Sequence, residues 1–118
     1  MTKIVLAFSQ QMQAAINDGR KCCTSRTHKK GEPGDIFTVN GQQFRITHII
    51  EMYADSVAKE LYGAEGFTSP AGFINWMTAH KGKFDPEQVL YVHFFAAVLP
   101  VHAARNLSLL DRVNTSKR

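Results

Sequence analysis

The chain has 118 residues, 44% of them apolar and 20% charged, with a formal net charge of +4. That is enough for one domain. It is too apolar for a disordered protein, and it lacks any apolar run near the ~20 residues a spanning helix needs. The charge is uneven: residues 20–30 hold Arg20, Lys21, Arg26, Lys29 and Lys30 with no acid, while residues 49–98 hold six acids against Lys59, Lys81 and Lys83. Such a basic run favours a polyanion, RNA first among them, and it reads also as a solvated loop.

Residues 3–8 are mostly apolar and alternate poorly, which predicts a first strand buried on both sides. The stretch is too short for a signal peptide and has no cleavage site. Ser9 is placed to cap a helix over residues 10–18 with Met12, Ala15 and Ile16 inward, and Gly19 ends it. Residues 20–26 run extended, and residues 27–35 have the glycine and proline of a loop. Residues 36–39 and 42–52 predict a hairpin around Asn40-Gly41. Unbroken alternation puts Phe44, Ile46, His48 and Ile50 on one face, and Arg45, Thr47, Ile49 and Glu51 on the other. Asp55 is read as the cap of a short helix through Tyr62, with Val57, Ala58 and Leu61 inward. After a loop over residues 63–67, Ser69-Pro70 opens a helix whose apolar face is Phe73, Ile74, Trp76 and Met77. Asp85-Pro86 makes a turn, and residues 89–98 are apolar enough for a central strand. Residues 99–118 read as a weakly amphipathic extension to a domain of residues 1–98. Helices do not separate every strand pair. The expected class is therefore α+β, a small mixed or antiparallel β-barrel with flanking helices, rather than a doubly wound parallel sheet.

The two cysteines, Cys22 and Cys23, are adjacent. Neighbours in a strand point to opposite faces, so a reduced compartment fits and a disulfide scaffold does not. Neither CxxC nor HxxxH spacing occurs, and His28, His48, His80, His93 and His102 are scattered, so no metal site is expected. Phosphate loops and nucleophile elbows are missing too. The chemistry gathers at Lys21, Thr24 and Arg26. A threonine hydroxyl needs a base, a desolvated lysine can serve as one, and a carboxylate can hold the lysine. Glu65, in a loop between Gly63 and Gly66, is the candidate carboxylate. Residues 21 and 24 fall on opposite faces of an ideal strand, so cooperation requires Lys21 to precede the strand or a bulge to intervene. On spacing alone, Lys21 and Arg26 read also as surface cations. Phe67, Phe73, Trp76 and Tyr91 are able to stack on a base, and read also as core.

The stretch Gly19-Arg20-Lys21-Cys22-Cys23-Thr24-Ser25-Arg26 resembles the Gly-x-Lys-x-x-[Glu/Thr]-x-Arg pattern of the ASCH domain, a PUA-like fold. The likeness continues in order through Pro33-Gly34-Asp35, Phe44-Arg45-Ile46-Thr47-His48-Ile49, the run from Glu65 to Phe73, and Val89-Leu90-Tyr91-Val92-His93-Phe94. Threonine at position 24 is similar to the bacterial N4-acetylcytidine amidohydrolases; Cys22-Cys23 departs from the group's usual residues. The resemblance implies Lys21 as proton acceptor, Thr24 as nucleophile and Glu65 as proton donor; beside these, Arg26 is expected to orient the base or the glutamate, and Phe67 and Tyr91 to stack on the substrate. It implies an enzyme, needing no cofactor, that removes the acyl group from N4-acylated cytosine nucleosides; the reduced cysteines fit a cytoplasmic location, and a monomer is the default. A non-catalytic RNA-binding module and a ribonuclease are the alternatives that the same fold implies.

Overall fold

The computed structural model describes residues 2–99. The elements are α1 (Gln10–Asn17), β1 (Cys23–Arg26), β2 (Ile36–Val39), β3 (Gln42–Tyr53), α2 (Ala54–Glu60), α3 (Pro70–Lys81) and β4 (Val89–Ala97). The strands form one antiparallel sheet in the order β1-β4-β3-β2, curled into half a barrel with the helices around it. This is the small α+β architecture expected, with the apolar β4 inside the sheet and β1 at its edge.

Local chemistry sets the boundaries. Ser9 Oγ accepts the Met12 N–H at 3.2 Å, and Met12, Ala15 and Ile16 are the buried stripe of α1. Asn40 and Gly41 both take positive φ, +50° and +81°, which matches the right-handed twist of the β2–β3 hairpin. At α3, Ser69 Oγ accepts the Gly72 N–H at 3.1 Å and Gly82 closes the far end at φ +83°. Side-chain alternation along β4 feeds two cores. Leu90 and Val92 pack with Cys23, Val57, Phe73 and Met77 below α2 and α3. Phe95 packs with Leu6, Ile16, Phe37, Phe44 and Ile46 below α1.

Three expectations are corrected. Residues 3–8 form no strand: Lys3 makes a single parallel bridge to Ile36, with the Ile36 N–H on Thr2 O and the Ile4 N–H on Ile36 O, both at 2.8 Å. Beyond the bridge the segment leaves the edge of β2. Leu6 goes into the core, while Val5 is 93% exposed, so only one side is buried. The alternation of β3 breaks after Ile46. Ile46 pairs with Phe95 but His48 pairs with Phe94, which makes Thr47 the extra residue of a bulge. Past it the faces exchange: Ile49 turns toward the core around Phe95, and Ile50 is 41% exposed. Finally, α2 begins at Ala54 rather than being capped by Asp55 and ends at Glu60, short of Tyr62. Gln88 O takes the Ala54 N–H at 2.8 Å and Pro86 O takes the Asp55 N–H at 3.0 Å, so the turn before β4 satisfies donors that a side-chain cap would have met. The Asp55 carboxylate instead pairs with Lys59 along the helix.

The extension expected over residues 99–118 lies, beyond Leu99, outside the described residues. Among the described residues, no helix is long and apolar enough to cross a membrane. The bulge makes a testable ordering. Ile49→Ala should cost about 1–3 kcal/mol and Ile50→Ala under about 1 kcal/mol in urea unfolding, the reverse of an unbroken strand.

Candidate active site

The site is assembled where α1 hands the chain to β1. Gly19, at φ +81°, lets the backbone turn out of the helix, and the N–H groups of Arg20 and Lys21 both settle on Ala15 O, at 2.9 and 3.0 Å. The next two, of Cys22 and Cys23, both donate to Ala64 O, at 2.8 and 3.2 Å. This stitch fastens the start of β1 to the loop that carries Glu65. Lys21 therefore precedes the strand, and its side chain joins those of Cys23 and Ser25 at Glu65, on the side of β1 opposite Thr24. Gly66 completes the approach: its φ is +100°, and a Cβ there would sit 3.3 Å from Lys21 Cβ and 3.4 Å from Ala15 Cβ.

Lys21 and Glu65 are both buried and paired. Lys21 Nζ donates to Glu65 Oε1 at 3.1 Å and to Glu65 O at 2.9 Å. Ser25 Oγ donates to Glu65 Oε2 at 2.5 Å, and Cys23 Sγ lies 3.8 Å from the same oxygen. Burial first, and then the Glu65 charge, push the Cys23 thiol far above its ordinary range, so it stays protonated.

Thr24 and Arg26 start from the other side of β1. Thr24 is 5% exposed, and its Oγ1 accepts from Arg26 Nε at 3.3 Å. The Arg26 guanidinium lies 5.0 Å over the Phe8 ring and donates through Nη2 to Ala7 O at 2.8 Å. Burial lowers the Arg26 pKa from its ordinary value, and the Glu65 charge opposes that shift. Behind Thr24, His93 Nε2 accepts the Lys30 N–H at 2.9 Å, which leaves the Nδ1 proton for Thr24 O at 3.2 Å. Burial pushes the His93 pKa down, partly opposed by its backbone hydrogen bonds.

Because β1 is an edge strand, a single cavity of about 260 Å³ runs along its free side and reaches both sets of side chains. Lys21, Thr24, Ser25, Arg26 and Glu65 line it with polar groups, as do Ser9, His80 and Lys81. Phe8 and Met12 form one wall, and Phe67, Phe73, Trp76 and Met77 the other. Phe67 lines the cavity. Tyr91 does not line it: it pairs with Arg26 from β4, one strand in from the open edge. Ser25 and Phe8 were not singled out from the sequence. Strand alternation puts Ser25 opposite Thr24, and nothing local marks residue 25 as lying at a sheet edge.

The Lys21–Glu65 pair brings lysine and carboxylate together at the cavity with a threonine hydroxyl in the same lining. Three solved structures share this architecture. An ASCH domain from Lactobacillus crispatus superposes with a TM-score of 0.60 at 13% identity, covering 81% of this chain and 78% of that one. The solution structure of a protein from Pyrococcus furiosus gives 0.58 at 15%, covering 85% and 100%. A variant ASCH protein from Zymomonas mobilis gives 0.55 at 13%, covering 84% and 72%. The chain has the ASCH fold. No protein-family model matches the sequence, and no curated protein matches it. Within the ASCH fold of this chain, the cavity on the β1 edge is where the Gly-x-Lys-x-x-Thr-x-Arg stretch and the Glu65 loop meet.

Two outcomes test the electrostatics. Lys21→Met should cost about 3–5 kcal/mol because it strands a buried carboxylate, and adding Glu65→Leu should restore much of that loss in urea unfolding. Simple additivity of the two would refute the coupling. The second concerns His93. Its folded pKa lies below the unfolded value near 6.5, so its contribution is fully present above about pH 6.5 and is lost as pH falls toward the folded pKa. Stability measured from pH 8 to 5.5 should fall by up to about 1.4 kcal/mol per pH unit more in the wild type than in His93→Gln. A flat difference between the two would contradict it.

Proposed function

We propose that the protein is an amidohydrolase that removes the acyl group from N4-acetylcytidine and related N4-acylcytosine nucleosides. One observation carries the reading: a buried lysine–carboxylate pair opens on an aromatic-walled cavity that also holds a threonine hydroxyl. The resemblance of residues 19–26 to the amidohydrolase pattern supplies the roles. The cavity is in keeping with a flat ligand, since Phe67 and Trp76 stand on one wall and Phe8 on the other.

The residues give a balanced sequence of steps. Moving one proton along the 3.1 Å Lys21 Nζ–Glu65 Oε1 hydrogen bond turns the ammonium into an amine and the carboxylate into an acid. A ligand that excludes water favours this neutral pair over two buried charges. Thr24 Oγ1 then attacks the acyl carbonyl carbon while Lys21 takes its proton. The C–N4 bond breaks as Glu65 returns its proton to the leaving amino group, and the original ion pair is restored. The products of this half are cytidine and an acyl ester on Thr24, which water hydrolyses to the carboxylate and free threonine. Arg26, already a donor to Thr24 Oγ1, keeps further N–H groups for the oxyanion that develops beside that atom.

The ribonuclease reading draws on the resemblance alone, and the RNA-binding reading on the basic run. Within it Arg20 pairs with Asp18, Lys21 with Glu65 and Lys29 with Glu32, which offsets much of its charge. Two of these pairs are exposed and weak, so a salt titration of RNA affinity remains the direct comparison.

Purified protein is expected to convert N4-acetylcytidine to cytidine and acetate, followed by chromatography. Thr24→Ala should lower kcat by about 10³-fold or more with the fold retained, and Lys21→Met by about 10²–10⁴-fold per folded molecule. Full turnover by Thr24→Ala would remove the nucleophile assignment. Absence of turnover in the wild type, together with steeply salt-dependent RNA binding, would favour the binding module.

A further inference from the structure

We propose that Ser25 is the positioning residue of the site, holding the second oxygen of Glu65 and thereby setting the proton affinity of that carboxylate. The two carboxylate oxygens are divided between partners. Oε1 belongs to Lys21 at 3.1 Å, and Oε2 belongs to Ser25 Oγ at 2.5 Å, with only the weak thiol donor of Cys23 besides. Glu65 is 3% exposed, and Ser25 is the strong donor that the protein itself supplies to Oε2. A short O–H···O⁻ bond favours the ionised carboxylate. Without it, Oε2 keeps a poor donor and Glu65 binds its proton more tightly.

Ser25 also fixes direction. Lys21 reaches Glu65 from the segment before β1, and Ser25 reaches it from β1 itself. Held at both oxygens, the carboxylate cannot swing away from Lys21 when the cavity fills. The other charged or titratable groups whose fields reach Glu65 are Arg26 and Cys23 on β1 and His93 on β4, and replacing Ser25 removes none of them. Thr24, on the other side of β1, has its oxygen on Arg26 Nε instead, accepting at 3.3 Å. The two neighbouring hydroxyls therefore divide the work: Thr24 faces the reacting atoms, and Ser25 acts through Glu65. The kinetic side of this inference rests on the amidohydrolase reading, whereas the titration does not.

The experiment follows the Glu65 carboxyl carbon by ¹³C NMR across a pH titration of the full chain, in the wild type, Ser25→Ala and Ser25→Thr. Ser25→Ala should raise the Glu65 midpoint by about one pH unit, the equivalent of one hydrogen bond to a carboxylate, and Ser25→Thr should lie near the wild type. If Ser25→Ala does not fold, Ser25→Cys, which keeps the shape and weakens the donor, replaces it with the same expected direction. An unmoved midpoint overturns the proposal whether or not the protein is an enzyme. If the wild type hydrolyses N4-acetylcytidine, Ser25→Ala should lower kcat about 10–100-fold with KM within about twofold, and the limb of the pH profile that needs the carboxylate should move upward. Wild-type kcat in that variant, or an acyl group trapped on Ser25 instead of Thr24, would also overturn it. A wild type without turnover refutes the hydrolase reading and leaves the titration to decide this one.

Discussion

A single buried ion pair organises this molecule. Lys21 and Glu65 are 4% and 3% exposed, 44 residues apart in sequence, and joined through both the side-chain and the main-chain oxygens of Glu65. Burying two charges is unfavourable unless the pair is well formed and its remaining valences are met. The surroundings meet that condition. Ser25 donates to the second carboxylate oxygen, Ala64 O gathers two N–H groups at the start of β1, and Gly66 allows the loop to close against Lys21. A pair held this way is weak evidence for stability and better evidence for a site, since an apolar pair of the same size would serve the core as well.

The edge position of β1 is the second constraint. In an interior strand, Thr24 and Arg26 would be separated from Cys23 and Ser25 by the sheet itself. At the free side one cavity touches Thr24 and Arg26 as well as Ser25, and the unlike groups are brought to a common space without any irregularity in the strand. The two cores explain how such an open edge is maintained. One packs α2 and α3 beneath the Glu65 loop, and the other supports α1 and the segment bearing Phe8, so the cavity walls are backed on both sides.

Much of this was legible from residues alone. Ser9, Asn40-Gly41 and Ser69-Pro70 act within three or four positions of themselves, and the structure uses each as local chemistry dictates. The apolar run of β4 likewise announced an interior strand. What failed was what depends on a partner. The bulge at Thr47 arises from the register of β3 against β4, and it turns Ile50 outward though its hydrophobicity fits a core position. Residues 3–8 have strand-like composition, yet only Lys3 finds a partner, and the rest serves as a cover. Tyr91 carries the right ring on the wrong strand for the cavity.

By itself, then, the sequence determined the helices, the hairpin, the α+β class and the residue types available for chemistry, because turn geometry, capping and side-chain periodicity are interactions between near neighbours. Only the tertiary structure decided that Lys21 meets Glu65, that Ser25 shares the carboxylate while Tyr91 stays outside the cavity, and that Ile49 rather than Ile50 faces inward. Those outcomes depend on strand order and on a one-residue shift in pairing. Both are set by contacts tens of residues apart, and chain order alone leaves no mark of them.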